Sequence, residues 1–568
     1  MFKAKPMTRL FMAGLKEQMA SVIQEIYRQH LFHVQGFSEA RGEDYEGFRM
    51  GMPLPGAGEA AAQLVTVRGL LSTLGISRET PESVGKKPAP EVRAWLETQL
   101  PRIRNDVENE ISRRRSILET DRKKYDELCR IYDARLAEIQ KELARIEEKA
   151  EEIRKAHADW LLASEELLMA DVEQKEIPLQ FATTEQAFVA EGWVPAPDAE
   201  RFISALQKAT GGKIFVTEVP MDEVPDQPPV EYNNPSFARP AELFMDVYAR
   251  PKYTEIDPTI LLSIVFPLFF GLIVGDAGYG LLFLAMAYGM RRFLTGPEGR
   301  MLLTNLRNAS LSSLVFGILF SEFFGFRLPW APVLFSRHLN IGGEAAAHGP
   351  AIPELMVLSI WIGVLHITLG RFFGIINHAR QDHGRHRTLA VLANVGWLCV
   401  MWGILTLIWS QFALPLMPDL TGAPSAVLGL NLAGLGGAVA LLAGIILIAR
   451  DSVLEIIEIP TIISHVLSYA RLVAVGLSSV AIAMVVNFIA IGMIIQPQLE
   501  NLSALGIVII IMGVLVFLIG HTLNIALGLL GGGLHSIRLH YVEWFTKFYK
   551  GGGEKYTPLG MIRRFTED

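Results

Sequence analysis

The stretch Thr461–Ile489, TIISHVLSYARLVAVGLSSVAIAMVVNFI, sets one guanidinium, Arg471, deep inside an apolar run. An arginine at the centre of a membrane-spanning helix costs at least about 2.5–3.5 kcal/mol on insertion scales, so something must compensate it. At about 100° per residue, Ser464, Ser468 and Ser478 fall within about 60° of Arg471, a small hydroxyl-bearing stripe suited to face protein rather than lipid. A second run, Gly520–Phe545, GHTLNIALGLLGGGLHSIRLHYVEWF, places Asn524, Gly531, His535 and Arg538 on roughly one face. Its glycines permit close approach of a neighbouring helix. Position alone leaves Arg538 and His540 open between snorkelling to the inner interface, beside Tyr541 and Trp544, and a role within the span. Arg471 lies too deep to snorkel cheaply, and its default partner is an intramembrane carboxylate. Few acidic residues lie within the apolar spans, so that partner is expected on another chain.

Other ionisable groups fall in or beside apolar segments. Asp276 opens one of them and reads as its N-cap. Glu322 and His366 fit either an outer aqueous path or interhelical hydrogen bonding, and Glu455 and Glu458 are candidates for an inner path. No GxxxxGK[ST] loop is present, since Gly212-Lys213 is followed by Ile214 and lacks the upstream glycine, so nucleotide hydrolysis by that route is excluded. HExxH, GxSxG and spaced Cys/His sets are also missing. No catalytic residue, cofactor or metal site is therefore expected. Cys129 and Cys399, the only cysteines, lie in regions of opposite character and suggest no disulfide framework.

The elements that must carry these groups are visible in the hydropathy. Of 568 residues, 50% are hydrophobic, with mean hydropathy +0.30, and the apolar residues crowd into the second half. About 20 apolar residues suffice to cross a bilayer. Stretches of that order occur near 259–275, 277–295, 302–320, 354–376, 388–411, 428–449, 461–495 and 503–534, which predicts eight helices, the last two long and tilted. The third carries Asn305, Arg307, Asn308 and several serines, which make it short, tilted, or the lining of a polar path. Arginines gather in alternate loops, with Arg291, Arg292 and Arg300, then Arg371, Arg380, Arg385 and Arg387, set against only Arg327 and Arg337 on the other side. The positive-inside rule then puts both termini in the cytoplasm. The opening residues, MFKAKPMTRLFMAGLKEQ, hold no uninterrupted apolar core of a signal peptide. A net charge of −7 and pI near 6.1 argue against a nucleic-acid partner.

The fold class that follows is mainly α: a polytopic helical membrane domain plus an N-terminal cytoplasmic α/β and coiled-coil domain. The predicted boundaries are an α/β part at 1–90, a helical coiled-coil segment at 91–180, a second α/β part at 181–222, a Pro-rich linker at 223–257, the transmembrane domain at 258–550 and a cytoplasmic tail at 551–568. In the first part Thr8–Ala13 and Leu31–Val34 read as strands, Lys16–Gln29 and Glu59–Leu74 as helices. Asp198 is placed to cap a helix over 198–210. Between 93 and 172 a highly charged helix carries Tyr125, Leu128, Tyr132, Leu136, Ile139, Leu143, Ile146, Ala150, Ile153, His157 and Trp160 three or four apart. That seam suits a coiled-coil hairpin or a partner helix, with His157 as packing.

The motifs SHVLSYARL around Arg471 and GGGLHSIRLHYVEWFTKFYKGGGEKYTPL near the end closely resemble the a/I subunit of V-type and A-type rotary ATPases. EQAFVAEGWVP, NNPSFARPAELFMDVYARPKYTEIDPT and FPLFFGLIVGDAGYGLL are similar to the same family, and together they cover most of 180–560. The resemblance implies a non-catalytic stator subunit, with ATP hydrolysis on other subunits. Its implied partners are a proteolipid c/K ring supplying the missing carboxylates, peripheral stalk subunits, a central-stalk ring-adaptor subunit, and the nucleotide-binding subunits. By motif, Arg471 is the primary arginine and Arg538 the second, with Ser464, His465, Ser468, Asn524 and His535 as polar lining of the ion path. A prokaryotic cytoplasmic membrane is the implied compartment. The cytoplasmic part, about 250 residues, is shorter than is usual in that family, and no second α/β lobe is evident at the far end of the coiled coil. A stand-alone secondary transporter using Arg471 to bind an anion is the competing reading; it predicts internal repeats and broken helices in matching positions, which the sequence lacks. A membrane sensor would need an output module, and none follows the last apolar run.

Overall fold

The computed structural model describes residues 5–35, 49–50, 52–76, 87–120, 128–220, 227–338, 350–427, 430–500, 503–560 and 563–567. It is 71% helix. The chain divides into two compact units, Pro6–Pro229 with Tyr556–Asp568, and Met1–Lys5 with Val230–Lys555.

The first unit is built on β1 (Met7–Leu15), α1 (Met19–Gln29), β2 (His33–Gln35), β3 (Arg49–Met50), α2 (Ala57–Thr73), β4 (Lys87–Pro88), α3 (Ala89–Thr98), α4 (Leu100–Thr120), α5 (Leu128–Glu176), β5 (Ala182–Thr183), β6 (Ala187–Pro195), α6 (Ala199–Ala209) and β7 (Ile214–Val219). Its main sheet runs β3-β5-β6-β1-β7, with β2 also pairing β6. Because β1 is antiparallel to both β6 and β7, and β2 is antiparallel to β6, β1–α1–β2 and β6–α6–β7 interlock as two split βαβ units. The two α/β stretches expected as separate parts of the chain are thus one sheet. Val22, Ile23 and Ile26 of α1 and Phe202 and Leu206 of α6 close its core over Leu10, Met12, Phe188 and Val194. Asp198 sits at the start of α6, but its side chain makes no capping bond, since its backbone is already helical (φ −102°, ψ −5°).

The long charged segment is described as α3, α4 and α5, and α3 and α4 part beside Pro101, whose ring is tolerated only in a first turn. Leu161, Leu162, Leu167 and Leu168 of α5 pack against Leu64, Val67 and Leu71 of α2 and Val92 and Leu96 of α3. His157 lies 5.9 Å from the Trp95 ring, a packing contact. Farther out, Leu143 of the seam is 37% exposed, so among the described residues the stripe is incompletely covered at that level. Tyr125 and the side chains of Leu128, Tyr132, Leu136 and Ile139 lie outside the described residues. The terminal segment from Tyr556 onward belongs to this unit and lays a strand, Thr566–Glu567, parallel to β4.

The second unit contains α7 (Glu242–Tyr248), α8 (Thr259–Val274), α9 (Ala277–Gly289), α10 (Pro297–Phe320), α11 (Ile352–Gln381), α12 (Gly384–Gln411), α13 (Leu432–Ala449), α14 (Ile459–Leu467), α15 (Arg471–Asn487), α16 (Gln496–Glu500) and α17 (Ala504–Arg538). Five helical stretches among the described residues are long and apolar enough to cross a membrane: α11, α12, α13, Val453–Glu500 and Ala504–Lys547. The first three expected spans fall short of that standard. α8 has 16 residues and α9 has 13, and at 1.5 Å per residue even the longer reaches about 24 Å against a hydrocarbon core of about 30 Å. They part at Gly275, whose φ of +45° suits a residue without Cβ. α10 has 24 residues but is too polar. Its polar groups are met by protein: Asn305 Nδ2 donates to Pro240 O at 2.6 Å, Ser310 Oγ to Leu306 O at 2.6 Å and Ser313 Oγ to Asp276 O at 3.4 Å.

Candidate functional site

Arg471 is the first residue of α15 and follows a 3₁₀ turn, Ser468–Ala470, that separates it from α14. In a 3₁₀ turn residues three apart eclipse, so Ser468 stands in line with Arg471. Arg538 is the last α-helical residue of α17, and a π-helical segment, Leu539–Trp544, follows directly. Both arginines therefore sit where the helix changes pitch. In an α-helix, residues five apart point about 140° away from each other; in a π turn, whose bonds run i to i+5, they stack. That change of phase carries Glu543 onto the face of Arg538.

The result is a cleft of about 700 Å³ lined by Pro460, Ile463, Ser464, His465, Leu467, Ser468, Arg471, Arg538, Val542 and Glu543. Ser468 Oγ donates to Glu543 Oε1 at 2.5 Å and so ties the turn before Arg471 to the segment after Arg538. Arg471 Nη1 and Glu543 Oε2 are buried with no hydrogen-bond partner among the described residues, and neither arginine forms an ion pair there. A guanidinium with an unused buried donor, on the wall of an open cleft, has the capacity to take a further acceptor.

Five of the sequence-predicted residues thus come together: Arg471, Arg538, Ser464, His465 and Ser468. Ser478 does not join them; it is exposed and its Oγ donates to Val475 O at 2.8 Å. His535 is half-buried on α17 outside the cleft lining. Asn524 belongs to a separate buried network, donating through Nδ2 to Tyr279 Oη at 2.9 Å and to Ser479 O at 3.1 Å. Tyr279 Oη bonds His521 Nδ1 at 2.6 Å, and His521 Nε2 bonds Asn487 Oδ1 at 2.9 Å. This order of donors fixes the His521 tautomer with its proton on Nε2. Asp276 caps α9 through Tyr279 N at 3.0 Å and also accepts from Phe324 N and Gly325 N, both at 2.9 Å.

His366 bonds Tyr469 Oη through Nδ1 at 2.8 Å and stacks on Trp544 with centroids 4.6 Å apart. Glu322 is fully buried against Arg337, whose guanidinium also donates to the carbonyls of Leu272, Ile273, Val274 and Gly275. Glu455 accepts from Trp397 Nε1 at 3.1 Å. Glu543 went unseen in the sequence because helical phase extrapolated from Arg538 points it away, and only the π segment corrects the phase.

A family model, the V-type ATPase 116 kDa subunit family, matches residues 99–296 and 451–561, a range that takes in the whole cleft. The chain belongs to this family. It is 32% identical to an A-type ATP synthase subunit I of Halobacterium salinarum, over 76% of this chain and 69% of that one. A namesake from Archaeoglobus fulgidus is 34% identical over 72% of this chain and 64% of its own length. A V-type ATP synthase subunit I of Chlamydia trachomatis is 24% identical over 69% and 64%. This member of the 116 kDa family therefore aligns with roughly two thirds of the length of such relatives. Its apolar helices mark it as a membrane protein.

Proposed function

We propose that this chain is the stator a/I subunit of a V/A-type rotary ATPase, forming ion half-channels against a rotating proteolipid ring and coupling ATP hydrolysis or synthesis to proton or sodium translocation. The observation that carries the reading is Arg471 Nη1, buried and unpartnered in a cleft shared with Arg538 and Glu543. A ring carboxylate crosses the lipid face neutral and must give up its ion where a permanent positive charge waits. Arginine supplies that charge because a guanidinium is a permanent cation at physiological pH. At 4 Å and an effective dielectric of 20 the attraction is about 4 kcal/mol, enough to favour the ionised carboxylate beside Arg471. The same charge bars a loaded carboxylate from passing between half-channels, a leak that would waste about 2.3 kcal/mol per charge per 100 mV.

In this reading the second unit provides eight spans, with α8, α9 and α10 crossing as short or polar helices shielded by their neighbours. The basic loops lie in the cytoplasm of a prokaryotic cell, with the termini on that side. The incompletely covered seam at Leu143 supports a peripheral stalk partner for the arm. ATP hydrolysis belongs to the nucleotide-binding subunits, reached through the ring adaptor. Purification of the tagged chain in mild detergent, followed by ATP-driven ion uptake after reconstitution, tests the proposal. Co-purification of proteolipid and catalytic subunits, with uptake abolished in an assembled Arg471→Ala complex, is expected. A chain that purifies alone, or a mutant complex that pumps normally, overturns it.

A further inference from the structure

Glu166 on α5 is 6% exposed. Its acceptors are filled by main chain: Arg564 N at 2.7 Å, Phe565 N at 3.1 Å and Thr566 N at 3.0 Å, with Thr566 Oγ1 at 2.7 Å. Three consecutive N–H groups and a hydroxyl converging on one buried carboxylate form charge-assisted bonds, roughly twice as strong as neutral ones. Thr566 pairs with Lys87 in parallel register, and Lys87 N donates to Phe565 O at 2.8 Å. The same segment is held at its other end, where Tyr556 Oη donates to Leu31 O and Leu559 N to Phe32 O. The terminal segment is therefore fastened at both ends to the first unit.

The chain passes between the units three times, after Lys5, after Pro229 and after Lys555. The last passage follows the helix that bears Arg538, by way of the π segment, a 3₁₀ turn at Phe545–Lys547 and residues 548–555. A rotating ring drags on that helix, and the drag must be resisted through the unit that the stalks would hold. We infer that residues 556–567 are a mechanical tether, with Glu166 as its latch, carrying force from the last membrane helix to the α5 arm. The force rests on the rotary reading; the latch does not.

Two perturbations of the assembled complex test it. Glu166→Gln keeps the shape but sets an amide N–H₂ against main-chain donors. Hydrogen exchange at 564–566 is expected to quicken at least about ten-fold, while α2 and α5 keep their protection. Unchanged exchange at 564–566 overturns the latch. A specific protease site inserted between Lys555 and Tyr556, cut after assembly, breaks the tether with both ends already folded. The ions moved per ATP against an opposing membrane potential are expected to fall at least about two-fold while ATP hydrolysis continues; an unchanged ratio overturns the tether. Should Glu166→Gln fail to assemble, a Lys87→Cys, Thr566→Cys pair replaces it, and failure of its disulfide to form in the complex overturns the docking. An uncut complex that moves no ions removes the rotary reading and the force with it, whereas exchange in the isolated full chain still judges the latch.

Discussion

Replacing Arg337 by methionine isolates the contribution of one buried charge to the end of α8. Arg337 is 1% exposed and Glu322 is 0% exposed. Leu272, Ile273, Val274 and Gly275 close α8, so their carbonyls have no amide ahead of them within the helix. In a membrane interior no water replaces such partners. Arg337→Met strips the carbonyls of their donors and strands the Glu322 charge, and removing one partner of a buried pair costs about 3–5 kcal/mol. Arg337→Met with Glu322→Leu removes both charges, so the double variant should lie well short of the sum of the singles, with a coupling of about 2 kcal/mol or more. Proteolytic susceptibility of the purified chain over a denaturant series measures both quantities. A loss below about 1 kcal/mol for Arg337→Met, or strict additivity in the cycle, refutes the view that this pair holds the end of α8.

The remaining predictions concern the walls of the site. A Cβ at Gly476 would lie 2.5 Å from Ile273 O and 2.9 Å from Arg337 Nη1, so Gly476→Ala should cost about 1–3 kcal/mol and slow ion uptake by shifting the helix that begins at Arg471; normal uptake at full stability would show the approach to be slack. Tyr279→Phe leaves both Asn524 and His521 short of a partner and should destabilise by about 1–3 kcal/mol, read as earlier thermal aggregation in detergent. Ser468→Ala deprives buried Glu543 of its hydroxyl and should lose about 1–3 kcal/mol, whereas Ser464→Ala, at an exposed site, should stay within about 0.5 kcal/mol; equal effects in the two would deny the serine–glutamate link.

Much of the cleft was legible because Arg471, Ser464 and Ser468 repeat at helical spacing within an uninterrupted apolar run. His465 came with them through its motif. Glu543 was lost at the π segment, and Asn524 was drawn toward Arg538 by the same regular phase, although its buried partners Tyr279 and Ser479 come from other helices. The break between α8 and α9 was legible at Asp276, which caps α9, and α8 ends within a residue of its expected limit, but α9 stops at Gly289, short of the expected 295, where a 3₁₀ turn, Met290–Arg292, leads into the basic loop. The strands of the first unit have local alternation, but their partners lie far along the chain: Met7 faces Pro195. Such pairing is decided by long-range closure and leaves no mark on either segment alone. The terminal latch is harder still, for it uses main-chain donors that every sequence possesses.

The interleaved strands of the first unit have a consequence for how this family can vary. The sheet closes on β1 and β6, and everything from α2 through α5 leaves and re-enters on one side of it as an excursion. Lengthening such an excursion adds closure entropy only logarithmically, about 0.6 kcal/mol for each doubling. An insertion or deletion at the outer end of the arm therefore leaves the strand register untouched while moving whatever is held at that end by about 1.5 Å per helical residue. The length of the arm can therefore change without renegotiating the fold from which it grows.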